Sequence, residues 1–345
     1  MPLTLHVDGD RWRTHLRDTL DAFGPGLVPV AKGNGYGFGL ASLARRCDWL
    51  SVDTVAVGTY AEAPQLLSRF DGDVLVMEPW RPFLSTVSYD ARVVHTVSRV
   101  DDLRALGARP GTRVVVEALT SMARHGMDRH ELAAAAAAVR TGRLQLQGLA
   151  LHLPLLGERE PEAERWAAVL AASQLDTSSV WVSHLSAAQV RRLTAERPEL
   201  TLRPRVGTRL WLGDRGALRV TATVLDRHPV SRGQRVGYRQ RAITRAGHVL
   251  VVSGGTSQGI GLEAPSGAAG VRRRATALAK GGLDAAGHAL SPFRVGGRRR
   301  WFVEPPHMQV SLLFVPGAEP APAVGAEIDV DVRFTTTTFD RVVLS

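Results

Sequence analysis

Eight apolar runs recur through residues 1–213 at intervals of roughly twenty to thirty residues, and the stretches between them carry helical patterning. The runs fall at 27–32, 54–59, 73–78, 93–97, 113–119, 146–152, 180–185 and 202–208. A β/α alternation repeated eight times predicts a closed parallel (β/α)8 TIM barrel, which places its chemistry at the C-terminal ends of its strands. After residue 213 the pattern changes. Strand candidates at 220–225, 248–253, 301–304, 309–315, 327–334 and 341–344 follow one another without regular helices, which predicts a mostly β second domain. The expected organisation is a barrel over 1–213 followed by a β-rich C-terminal domain over 214–345, and 345 residues suffice for both. A stretch rich in Gly, Ala and Arg at 264–297 interrupts the second domain, with 271–280 reading as a short helix and the rest as loop.

The first run opens into Val28-Pro-Val-Ala-Lys-Gly-Asn-Gly-Tyr-Gly-Phe-Gly39, which sets Lys32 at the end of a short apolar strand. The four glycines that follow stop any regular element. The chain has 43 Lys and Arg residues, and only Lys32 and Lys280 are lysine, so arginine is used wherever positive charge alone suffices. Position 32 requires an amine. A primary amine can lose its proton when desolvated and condense with an aldehyde, whereas guanidinium stays protonated.

Composition excludes several classes. No segment of eighteen or more apolar residues offers a membrane span, the first ten residues lack a basic start followed by an apolar core, and a single cysteine, Cys47, excludes an intrachain disulfide framework. A cytoplasmic location is the expectation. The net charge of +10 comes from scattered arginines with only 6% aromatic residues, so anionic small molecules rather than nucleic acid are the expected partners. No metal site is expected.

The Lys32 segment resembles the cofactor-lysine signature of the alanine racemase family, a V-x-K-A-N-A-Y-G-H-G type run. The resemblance implies that Lys32 is the Schiff-base lysine for pyridoxal 5'-phosphate and that Tyr36 is a phosphate ligand. Further along, Thr120, Met122, Arg124 and Gly126 match the family's T-G-M-N-R-L-G motif, which implies that Arg124 lies near the substrate carboxylate. Glu117 stands where the family often has a carbamylated lysine, and a carboxylate supplies the same negative charge for the arginine. Gly148-Leu-Ala-Leu-His152 is similar to G-x-x-T-H, which implies that His152 lies over the cofactor ring. Ser183-His-Leu-Ser186 loosely resembles the phosphate segment H-x-x-N-S, giving Ser186 as a ligand. Arg203-Pro-Arg-Val-Gly-Thr208 is similar to V-R-P-G-I, which implies phosphate-binding N–H groups at Gly207 and Thr208 and places Arg205 opposite the pyridine nitrogen.

The chain departs from the family at one point of chemical weight. Racemisation needs proton carriers on both faces of Cα. The family's second carrier is a tyrosine in a V-G-Y-A-D-G run of the partner subunit, and the matching stretch here, Val252-Ser-Gly-Gly-Thr-Ser-Gln-Gly259, has none. His307, in Glu304-Pro-Pro-His-Met-Gln309, is the candidate substitute, with Met308 beside it in the run whose methionine, in the family, reaches the partner's active site and substrate. The leading expectation is a homodimeric racemase or epimerase of an amino acid with altered second base and altered specificity, and peptidoglycan precursor supply is the context the resemblance implies. The alternatives are a lyase, aldolase or dehydratase acting on one enantiomer, or a non-catalytic pyridoxal phosphate carrier.

Overall fold

The computed structural model describes residues 2–262 and 289–345, so the expected helix at 271–280, and with it Lys280, lies outside the described residues. The chain divides into two compact units. One comprises Arg13–Gly35 and Gly39–Gly213; the other comprises Met1–Trp12, Tyr36–Phe38 and Asp214–Ser345. The chain opens with β1 (Leu3–Val7) and α1 (Gly9–Phe23).

The first unit carries the expected strands as β2 (Val28–Pro29), β3 (Thr54–Val57), β4 (Asp73–Pro79), β5 (Val93–Val97), β6 (Arg113–Ala118), β7 (Gln145–Leu151), β8 (Ser179–Ser183) and β9 (Thr201–Val206). Between and after them run α2 (Leu40–Trp49), α3 (Ala63–Leu67), α4 (Val100–Leu106), α5 (Leu132–Thr141), α6 (Arg159–Ala171), α7 (Ala187–Glu196) and α8 (Thr208–Leu212). The strands pair in the order β2-β9-β8-β7-β6-β5-β4-β3, and a parallel bridge between Val30 and Ala56 joins the two ends. The result is a closed TIM barrel. Its interior is filled by Val28, Val30, Ala56, Leu75, Val94, Val115, Ala150 and Trp181, from β2 and the residue after it through β8, as alternation on a two-residue period requires.

Two local features shape the barrel. Pro29 has no N–H to give, and the β2 ladder is reduced to two residues, closed by bonds from Val30 N to Val206 O and Ala31 N to Ala56 O. The pairing of β6 with β7 shifts register between Val114 and Val115, and Trp181 Nε1 donates to the Gln147 carbonyl at the bulge. Among the helices, α5 buries Leu132, Ala135, Ala136, Ala138 and Val139 on one face, while α7 starts from a reciprocal cap between Ser186 and Gln189.

The second unit is built from β10 (Leu218–Val230), β11 (Arg235–Val236), β12 (Arg241–Ala242), β13 (Gly247–Ser253), β14 (Leu290–Val295), β15 (Arg298–Phe302), β16 (Val310–Pro316), β17 (Glu327–Val330) and β18 (Arg341–Leu344). Its main sheet runs β13-β16-β15-β14-β17-β10-β1-β18, and β10 also pairs with β13 across a bulge between Val224 and Asp226. The mostly β expectation is met, with differences: the short pair β11 and β12 was not among the expected strands. The N-terminal strand β1 was not expected and inserts between β10 and β18, and β14 lies inside the stretch read as loop. No helix among the described residues is long and apolar enough to cross a membrane.

Candidate active site

Lys32 follows the two-residue β2 and opens the glycine loop. Gly33, Gly35, Gly37 and Gly39 all take positive φ, between 61° and 90°, a region closed to most L-residues, which accounts for glycine at every second position. Glu62 holds this loop against the next strand: its carboxylate accepts Gly33 N and Gly58 N at 2.7 Å each and Thr59 N at 3.2 Å. On the other side, Trp211 Nε1 donates to Val30 O at 2.8 Å. The backbone that presents Lys32 is therefore fixed on both flanks.

Around Lys32 stand the ends of four other strands. Arg205 on β9 is buried, and its Nη2 donates to Leu151 O at 3.0 Å. Its Nε is buried without a hydrogen-bond partner among the described residues, as is Oε2 of the buried Glu117 on β6. Burial pushes Arg205 down to about 10, Arg124 adding to this and Glu117 opposing it, so the guanidinium still carries its charge near neutrality. Burial raises the Glu117 carboxyl, and Arg205, Arg124 and Arg81 oppose the rise. At Lys32 the amine is accessible at the mouth. Partial loss of hydration, followed by Arg124 and Arg205, lowers it below the ordinary lysine value, with Glu62 opposing. His152, just past β7, is pushed down to about 3 by burial and then by Arg205, Arg124, His184 and Lys32, which leaves a neutral imidazole.

Arg124 sits at the tip of a loop pinched at its neck, where Met127 N donates to Glu117 O and Leu119 N to Met127 O. Thr120 Oγ1 donates to His152 O at 2.6 Å, and Glu162 accepts both Ser121 N and Ser121 Oγ at 2.6 Å. Gly126 closes the neck at φ +130°, and a Cβ there would lie 2.3 Å from the Ala118 carbonyl carbon. The variant Gly126→Ala is therefore expected to lose on the order of 3 kcal/mol of stability or to release the loop. A thermal or denaturant melt unchanged from wild type would contradict this.

Ser186 spends its hydroxyl on the α7 cap, accepting Gln189 N at 3.3 Å, and Gly207 with Thr208 begins α8, whose first N–H groups have no intrahelical acceptor. The expected strand at 202–208 ends earlier, at Val206, because the chain turns there into α8.

Lys32, Arg124, His152 and Arg205 thus lie close enough to couple electrostatically, with Ser186, Gly207 and Thr208 at neighbouring strand ends. Tyr36, His307 and Met308 belong to the second unit. Tyr36 is buried in a 3₁₀ turn with φ 55°, and Met308 is exposed. His307 Nε2 bonds the buried Glu304 carboxylate at 2.7 Å, under the Tyr238 ring at 4.5 Å, on a cleft of about 770 Å³ that Thr256 and Met308 also line. Two residues of the barrel mouth were not expected. Glu62 carries no sequence signal beyond a carboxylate near a strand end. His184, two residues before the helix-capping Ser186, could have been found as a histidine at the C-terminal end of a strand. Among the described residues no group of three or more His, Cys, Asp or Glu could hold a metal ion.

Comparison with known proteins gives one consistent result. The family model described as alanine racemase, N-terminal domain, matches residues 7–211, more than half of the chain. An alanine racemase from a Nitratiruptor species is 26% identical over 147 residues, and that match spans 41% of the relative's length. Among solved structures, alanine racemase from Bartonella henselae with covalently bound pyridoxal phosphate superposes with a TM-score of 0.73 at 15% identity, covering 99% of this chain and 100% of that one. Alanine racemase from D-cycloserine-producing Streptomyces lavendulae gives 0.66 at 20% identity, over 96% and 87% of the two chains. At such identities these likenesses carry the fold.

Proposed function

The chain belongs to the alanine racemase family, and from that premise we propose that it is a pyridoxal 5'-phosphate-dependent racemase or epimerase of an amino acid, with a second base and a specificity of its own. The observation that carries this reading is Lys32, one of two lysines in the chain, with a lowered amine pKa at a mouth that also gathers Arg124 and Arg205. The residues present fit an anionic aldehyde: Lys32 supplies the amine, and the buried, unpartnered Nε of Arg205 is a donor in search of an acceptor.

When bound, the cofactor supplies an electron sink for charge left on Cα. The chain does the rest. Tyr36, Ser186, Gly207 and Thr208 would hold the phosphate, and neutral His152 would pack against the ring. Arg205, protonated near neutrality, would leave the ring nitrogen without a proton, which favours return of a proton to Cα over side reactions. Arg124 would orient the substrate carboxylate, Lys32 would move the proton on one side of Cα and His307 of a second copy on the other, and Met308 of that second copy would contact substrate.

A second copy is expected to cover the mouth. Phe83, Leu119, Leu155 and Leu156, on loops after β4, β6 and β7, are 78%, 41%, 70% and 82% exposed, an apolar rim that water covers poorly and that supports a homodimer. Sedimentation should give a dimer at working concentration; a fully active monomer would contradict the reading.

The tyrosine-free segment 252–259 favours a second reading, a lyase, aldolase or dehydratase acting on one enantiomer. Incubation with a panel of L- and D-amino acids separates the two. Interconversion of enantiomers supports the racemase, and a keto acid or aldehyde from one enantiomer supports the lyase. A protein that shows no visible absorption band after exposure to the cofactor is neither.

A further inference from the structure

Resting on the reading of the chain as a pyridoxal 5'-phosphate enzyme of amino acids, we infer that Arg239 determines specificity by binding a carboxylate at the far end of the substrate side chain. The substrates are then dicarboxylic amino acids. Arg239 lies in the turn between β11 and β12, and that turn is built onto the cleft that holds His307. The buried Glu304 carboxylate accepts Tyr238 N at 3.1 Å and Arg239 N at 3.2 Å beside its bond to His307 Nε2 at 2.7 Å. Gly237 permits this approach: it stands at φ +74°, and a Cβ there would lie 2.4 Å from the Glu304 carboxyl carbon. Gln240 closes the turn at φ 47°, its N and its Nε2 both donating to Gly237 O. One carboxylate thus fixes the backbone of Arg239 beside the imidazole, while the Arg239 side chain stays exposed and lines the cleft.

Charge and size both select the substrate. Among the described residues that line the cleft, Arg239 is the one arginine or lysine and Glu304 the one acid, and Glu304 is buried with its oxygens directed at three donors of the protein itself. The guanidinium is what the cleft offers an incoming anion, and its planar fork suits a carboxylate. The surrounding sequence has the same sign: residues 227–262 contain six arginines and neither Asp nor Glu. One of them, Arg235, donates to the Gln240 carbonyl, a neutral acceptor that leaves its charge in place. The cleft of about 770 Å³ is far larger than the methyl group of alanine needs, and the exposed Tyr238 and Met308 can cover an aliphatic stem between Cα and the charge. In the dimer proposed above, Arg124 of one copy takes the α-carboxylate and Arg239 of the other takes the side-chain carboxylate. An amide in that place is a weaker acceptor, and an ammonium meets a like charge.

The test uses the holoenzyme and matched substrates: glutamate with glutamine, aspartate with asparagine, and alanine and lysine beside them, each as both enantiomers. The change in the visible band on addition reads binding, and the products read turnover. Wild type is expected to prefer the acid to its amide by at least about tenfold in kcat/KM in one or both pairs, as a bidentate charge-assisted contact provides, and to take lysine least. Arg239→Gln should bring that ratio to near one, chiefly through KM because the contact is remote from the reacting atoms, and Arg239→Glu should place lysine above glutamate. Arg239→Gln should keep the wild-type melting temperature, since the altered side chain is exposed and Glu304 bonds only its backbone. If wild type takes alanine or the amides as well as the acids, the inference fails while the reading of the enzyme stands. A preference for acids that survives Arg239→Gln removes Arg239 from the role. If no amino acid shifts the band or is turned over, the underlying reading fails and the inference with it.

Discussion

Lys32→Ala is expected to abolish both stable retention of pyridoxal phosphate and turnover, leaving a folded protein. The loss in rate should exceed the roughly 10²–10⁴-fold that a single acid–base group contributes, because Lys32 is assigned both attachment of the cofactor and a proton transfer. No arginine of the mouth can stand in, since a guanidinium does not deprotonate at working pH. The fold should survive, because Lys32 is accessible at the mouth and its loop is held through backbone bonds to Glu62 that the substitution leaves in place. A variant that still holds a borohydride-reducible adduct would exclude Lys32 from the role.

His307→Ala is expected to slow proton exchange at Cα for one enantiomer by about 10²–10⁴-fold, while exchange on the Lys32 side and cofactor binding stay near wild type. The structure adds a partner that makes the assignment sharper. Glu304, buried and held down by its bonds to His307 and to Tyr238 N and Arg239 N against the cost of its burial, accepts from His307 Nε2 and leaves Nδ1 as the basic atom. Deuterium incorporation from solvent into each enantiomer reads the two sides separately. Equal, small effects on both would assign His307 to structure. The search would then pass to Thr256, Ser257 and Gln258, none of which has a pKa suited to the task, and the lyase reading would overtake the racemase one.

How much of this was legible depended on whether the cause was local. Strand and helix periods are local, so the barrel could be read from eight runs, and the scarcity of lysine singled out position 32 without any structure. The same reasoning missed β1, because Leu3–Val7 forms a strand only by pairing with Leu218–Val230 and Arg341–Leu344, more than two hundred residues away. It placed β14 in a loop because Pro292 and the surrounding Gly and Arg mask the alternating burial of Leu290–Val295. At the site, motifs pointed to His152 and Arg205, fixed by their strand ends, and to Arg124, carried on the pinched loop after β6. Glu62 escaped notice because its function is to accept three backbone N–H groups from two loops, and His184 because its significance lies in a backbone angle and a ring contact. Tyr36 illustrates the converse: adjacent in sequence to the lysine loop, it groups by its contacts with the other unit.

The measurement closest to the central claim needs no knowledge of the substrate. The protein is equilibrated with pyridoxal 5'-phosphate, reduced with borohydride, digested and mapped by mass spectrometry. The account predicts a phosphopyridoxyl group on Lys32 at close to one per chain, with Lys280 unmodified. An unlabelled protein, or a label carried by Lys280 in place of Lys32, would contradict it.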